Sequence, residues 1–403
     1  MRTRRIAALG LLTLTALVLG ALAVAVIADS GSGTPQPTTT AAPLHPVAGN
    51  FKPDATALED CSEEDSACIE QAYGNLAYSS GPKRALAVLE ENIDVDSNSC
   101  HRIAHSIGSA SLARYKGNVG RTFAEGFSAC FSGYYHGVLE RSLVNVKSYK
   151  AAALGAVARG LCADEEIRAV QELEYHCLHG LGHGLMITSG YSLPLSLDVC
   201  DYMSGEWAVR ACNGGVFMEN FFTSYGVQSP WVREDDPVYP CDWVAEEDKR
   251  PCYQLVTSRI LRVVGVDWER TAEICASVEA DWISACFESY GRDASGQTHR
   301  NADEILAICA SARPYGGERQ CVQFAAMDHV ENYAAGTQAA AFCDKTSLEL
   351  QTPCYQALGT ILGRFKRTAE ERAVDCRSLT NDRSKAIACI RGASTQLDAV
   401  VGQ

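Results

Sequence analysis

Residues 271–290 read TAEICASVEADWISACFESY. Thr271 to Cys275 closes one helical pattern, a polar stretch follows, and Cys286 to Tyr290 opens a second. A disulfide between Cys275 and Cys286 would staple the end of the first helix, A, to the start of the second, B. The unit recurs. Cys241, Cys275, Cys309, Cys343 and Cys376 stand 34, 34, 34 and 33 residues apart, and each has a follower 11 to 13 residues on, at Cys252, Cys286, Cys321, Cys354 and Cys389. A period near 34 residues is that of a two-helix repeat. The rhythm runs backward through 200/212, 162/177 and 61/68, leaving Cys100 and Cys130, both at the B position of their repeats. The expectation is nine disulfides: eight within a repeat (61–68, 162–177, 200–212, 241–252, 275–286, 309–321, 343–354, 376–389) and one, 100–130, between neighbouring repeats.

The fold expected is therefore all-α: a disulfide-stapled α/α helical-repeat solenoid of about ten ~34-residue units over residues 55–403. Neighbours in such an elongated array bury a continuous core and leave an extended curved surface. The period is similar to that of tetratricopeptide and Sel1-like repeats. The likeness is one of architecture, without their consensus residues, and implies no function. The gap from Cys200 to Cys241 is 41 residues, longer than the period. The excess falls at residues 228–240, where Pro230, Pro237, Pro240 and an exposed Trp231 are expected to form an ordered surface loop, as a lid, a partner contact or a plain insertion.

The chain has 403 residues, a formal net charge of −14 and 47% hydrophobic residues. That composition can bury a core. The acidic balance argues against nucleic acid as a partner, which would demand a basic face. Arg2, Arg4 and Arg5 precede Ile6–Ala28, a run of 23 residues without a charge. As a helix the run spans ~34 Å, enough to cross a bilayer, and it exceeds the roughly 7–15 apolar residues of a secretory signal. Positive charges come first, so the remainder is expected outside the cytoplasm. The expected organisation is a signal anchor, a single transmembrane helix, over residues 1–28, then a disordered Pro/Ser/Thr-rich stalk over residues 29–54, then the extracytoplasmic repeat domain. Cleavage of the first segment, giving a secreted protein, is the alternative. An even cysteine count fits the oxidising side of a membrane. No two cysteines are closer than seven residues, so thiolate metal sites are not expected.

Six of the nine histidines lie between residues 101 and 183. His101/His105 and His179/His183 are four apart, as are His136 and Glu140. That spacing puts both groups on one helix face, as chelation requires. His105, His136 and His183 follow their B-helix cysteines by five, six and six residues. Three successive B helices thus carry an imidazole at one height, with His101, His179 and His176 a turn or two away. Gly133, Gly137, Gly180, Gly182 and Gly184 interrupt the same helices at a cost of roughly 1 kcal/mol each relative to alanine, a sign of close packing or of a functional site.

The candidate metal ligands are therefore His101, His105, His136, His179, His183 and His176, with Glu140 and Glu219 as ligands or general bases. Imidazole and carboxylate donors without thiolate suit a transition metal ion: Zn, Cu, Fe or Ni. Nitrogens sharing one ion should lie within ~4 Å of each other, and binding should weaken as pH falls. Glycines that merely let helices approach, with internally hydrogen-bonded histidines, would be the plain structural explanation. His329 and Glu331, far down the stack, form a weaker polar spot. Phe131, Tyr134, Tyr135, Phe217, Phe221 and Phe222 are expected in the core.

The chain contains no His-Glu-x2-His, Gly-x-Ser-x-Gly or Walker motif. Three functions follow: a metal-dependent enzyme, hydrolase or oxidase; a non-catalytic solenoid for a protein or peptide partner; or an envelope metal-binding protein.

Overall fold

From Cys275 onward each half of the cysteine pattern folds as a helix, whereas Cys241 sits in a turn, with no helix among the described residues between 222 and 245. The computed structural model describes residues 51–93, 98–144, 146–224, 226–366 and 368–401, and among these it is helical without strands. The α-helices are α1 (Ser66–Ser80), α2 (Pro82–Asn92), α3 (Asn98–Arg114), α4 (Val119–Ala124), α5 (Gly133–Leu143), α6 (Ala151–Leu161), α7 (Glu165–Arg168), α8 (Gln171–Thr188), α9 (Leu193–Cys200), α10 (Glu206–Phe221), α11 (Glu246–Tyr253), α12 (Thr257–Val264), α13 (Trp268–Ser277), α14 (Ile283–Gln297), α15 (Ala302–Ser311), α16 (Glu318–Tyr333), α17 (Thr337–Lys345), α18 (Leu348–Leu362), α19 (Ala369–Ser378) and α20 (Arg383–Val401).

The B elements are α1, α3, α5, α8, α10, the α11–α12 pair, α14, α16, α18 and α20. They pack side by side in chain order, with α11 touching both α10 and α14. The shorter A helices lie between them in the chain. Local chemistry sets their ends. Asp267 caps α13 by accepting from the Arg270 amide at 2.9 Å, Asn301 caps α15, and Thr368 and Glu371 cap α19 reciprocally. Such caps satisfy amides that have no partner within the helix.

All nine disulfides join the cysteines expected from the spacing, including Cys100–Cys130. No cysteine is left free. The core is one continuous cluster running from Phe51 to Ala393. Phe51 is buried against α1, and Gln71 donates to the Lys52 carbonyl at 2.9 Å, so the fold reaches back to residue 51, inside the expected stalk. The anchor expected at Ile6–Ala28 lies outside the described residues. Among those described, no helix is long and apolar enough to cross a membrane.

Three expectations change. Trp231 is buried, not exposed: its indole donates to the Tyr191 carbonyl at 3.0 Å, and Asn220 donates to the Trp231 carbonyl at 3.2 Å. The 228–240 insertion is thereby sewn onto α10 and the turn after α8. Tyr134, Tyr135, Phe217 and Phe221 are core as expected, but Phe131 and Phe222 are exposed at helix ends. Finally, the repeats do not simply run away from one another. Arg364, buried just after α18, pairs with Glu172 of α8 at 2.9 Å and Glu331 of α16 at 2.5 Å, and its guanidinium lies 4.3 Å from the Tyr175 ring centre. The turn after the ninth B element therefore touches the fourth, and Glu331 is close to α8.

Candidate metal centre

The site begins with backbone contact. A Cβ on Gly137 would sit 1.9 Å from the His105 carbonyl oxygen, and one on Gly108 would sit 2.1 Å from that of Tyr134. One on Gly182 would sit 2.1 Å from the Cys212 carbonyl oxygen, and one on Gly215 would sit 1.8 Å from that of His179. Helices α3 and α5, and likewise α8 and α10, thus approach where no larger residue fits. This brings their long side chains to one place.

The imidazoles converge there. His105, His136, His179 and His183 are almost fully buried and His101 is partly so. One group joins His101, His105 and His136, another joins His136, His179 and His183, and in each the donor atoms all lie within 4.8 Å of one another. His101 and His105 bring their Nε2 atoms to 3.1 Å, inside the ~4 Å expected around one ion; the full groups are looser. His136 stacks on His183 at 4.0 Å between ring centres and 17° between planes.

The backs of these rings are held. His101 Nδ1 donates to the Cys130 carbonyl at 2.8 Å. Cys130, Phe131 and Ser132 all take left-handed conformations, with φ of 49°, 54° and 61°. Such backbone costs roughly 1–2 kcal/mol per residue, here beside the carbonyl that orients His101. His105 Nδ1 faces Glu140 Oε2 at 3.3 Å. His183 Nδ1 lies 2.9 Å from Glu219 Oε2. Glu219 also accepts from the Tyr191 hydroxyl at 2.9 Å and from the Ser224 amide at 2.8 Å. Both carboxylates thus stand behind an imidazole, an arrangement common behind metal-bound histidines.

Burial, with His105 adding, pushes His101 down to about 4. Burial first and the other histidines second hold His136, His179 and His183 well below the usual imidazole range. Burial also raises the Glu219 carboxyl against its hydrogen bonds from Ser224 and Tyr191.

His176 lies outside both groups. Glu172, one turn earlier on α8, takes its Nε2 at 2.9 Å, and Tyr135 stacks on its ring at 4.8 Å. It is part of the wall, tied through Glu172 to Arg364. The Glu172–His176 spacing of four was visible in the sequence; Arg364, distant in the chain, had no such signal. Tyr175, stacked on His179 at 5.4 Å between ring centres, was also missed. His329 is buried against Phe342, with no hydrogen bond to either ring nitrogen and outside both histidine groups. In comparisons with known proteins, no family model, no curated protein and no solved structure matches the chain.

Proposed function

We propose that this protein binds a transition metal ion through the buried imidazoles of α3, α5 and α8, on the outer side of a membrane. The observation that carries this reading is the pair of Nε2 atoms at 3.1 Å. The His101 Nδ1 proton is committed to a carbonyl, and with the His105 Nδ1 proton on Glu140 both Nε2 atoms present lone pairs. Two lone pairs at that distance repel unless a proton or a metal ion lies between them. Burial opposes the proton, since a charged imidazolium is poorly solvated there. A transition ion with bonds of about 2.0–2.1 Å to nitrogen fits.

The donor set is imidazole without thiolate, which favours zinc or copper and leaves iron and nickel possible by geometry. Nine disulfides fit an oxidising, extracytoplasmic compartment. The arginine-led run Ile6–Ala28 would tether the domain there. Closed burial of the histidines supports holding a metal more than opening it to a substrate, so an envelope metal-binding protein is preferred to a hydrolase or oxidase.

The test is elemental analysis of the purified full chain after equilibration with zinc, copper, iron and nickel salts. Wild type should retain metal through dialysis, and His101→Ala/His105→Ala should retain less while keeping all nine disulfides. Wild type that retains none of the four metals would sink the reading.

A further inference from the structure

His136 is the imidazole common to both histidine groups. Its helix, α5, packs between α3, which supplies His101 and His105, and α8, which supplies His179 and His183. Both of its ring nitrogens are buried without a hydrogen-bond partner. Its neighbours differ: His101 and His183 each commit Nδ1 to a protein acceptor. A neutral imidazole carries one N–H to donate and one lone pair to satisfy, and leaving a buried polar atom unmet costs about 1–3 kcal/mol. One metal ion would satisfy one nitrogen. Two would satisfy both.

The surrounding ligands are duplicated in the same way. On α3, His101 and His105 are four apart, and Glu140 on the next B helix backs His105 from 35 residues on. On α8, His179 and His183 are four apart, and Glu219 on the next B helix backs His183 from 36 residues on. The repeat has therefore copied one half-site, a histidine pair and a carboxylate behind it, onto either side of His136.

We infer that the cluster is dinuclear: His101 and His105 hold one transition ion, His179 and His183 hold a second, and His136 bridges them as an imidazolate. This rests on the metal-binding reading above. Bridging requires the neutral His136 ring to give up its one N–H proton to water as the second ion binds. Glu140 and Glu219 then offset part of the added positive charge, one behind a histidine of each ion's pair. Ring lone pairs lie in the ring plane, and near-parallel planes do not meet at a common point. The stack of His136 on His183 must therefore tilt open when the second ion enters.

The experiment is a copper(II) titration of the full chain, followed by bound-metal analysis and electron paramagnetic resonance. Two ions per chain are expected. The signal should grow with the first equivalent and fall with the second, because an imidazolate bridge couples two copper(II) spins antiferromagnetically. In His136→Ala the coupling should vanish and affinity should fall by at least about tenfold, since losing a ligand costs no less than losing its support. His179→Ala/His183→Ala should keep one ion with an uncoupled signal, and disulfide mapping should show it folded. One ion per chain in wild type, or two whose signals never couple, would overturn the bridge while leaving the metal reading intact. No bound metal would overturn both.

Discussion

Asp248, on the first turn of α11, shows how one side chain is held by its neighbours. Burial, with Asp201 and Glu247 nearby, pushes its carboxyl up to about 7. Asn213 donates to its Oδ1 at 2.7 Å, while the Asn213 side-chain oxygen is buried without a partner. The folded carboxyl binds a proton more tightly than the unfolded one, whose ordinary value is 3.8. Folded chains therefore hold the extra proton between those two values, and stability falls as pH rises from about 4 to about 7. Asp248→Asn removes the charge and supplies a donor for the Asn213 oxygen. It should raise the melting temperature at pH 8, by the equivalent of about 1 kcal/mol, and change little near pH 4. Scanning calorimetry at both pH values checks this; an equal gain at both would show that titration of Asp248 is not the cause. The histidines differ from Asp248 in that their strained electrostatics have a remedy, a metal ion, that needs no mutation.

Several pairs of B helices meet through glycine: α3–α5 and α8–α10 beside the histidines, and also α14–α16 and α18–α20, where a Cβ on Gly291 or Gly359 would sit 2.1 Å from a carbonyl oxygen. Gly137→Ala would drive a methyl into the His105 carbonyl, 1.9 Å from the ideal Cβ, and the two backbones would have to separate. Overpacking of this kind costs about 1–3 kcal/mol, and separating α3 from α5 would also spread His105 from His136. Gly160, inside α6, has nothing within 4 Å of its ideal Cβ. Gly160→Ala should stabilise the fold by roughly 0.5–1 kcal/mol through helix propensity. Urea denaturation of both variants, with metal retention measured beside it, separates the two roles. If Gly137→Ala were as harmless as Gly160→Ala, close helix approach would not be what assembles the site.

Across the whole described domain, Arg364 joins repeats that are far apart in the chain. It is buried between Glu172 and Glu331 and lies over Tyr175, which itself stacks on His179. Burial alone would raise the Glu172 carboxyl, but Arg364 and then His176 outweigh it and hold it below the usual range. Arg364→Ala would leave Glu172 buried without its cation, and breaking such a pair costs about 3–5 kcal/mol. Hydrogen exchange should speed up in α8 as well as around residue 364. Faster exchange confined to α18 and α20 would mean that the fourth and ninth repeats are energetically independent. The sequence by itself determined the helical repeats, their disulfides and the height of the histidines along each B helix, because cysteine spacing and helical periodicity are local quantities, repeated within tens of residues. Only the tertiary structure decided that Trp231 turns inward, that His176 is taken by Glu172 and Tyr135, that Glu140 and Glu219 stand behind imidazoles, and that Arg364 reaches α8. Each of these depends on how repeats rotate and curve relative to one another, and that curvature accumulates from many small packing contacts that no single stretch of sequence encodes.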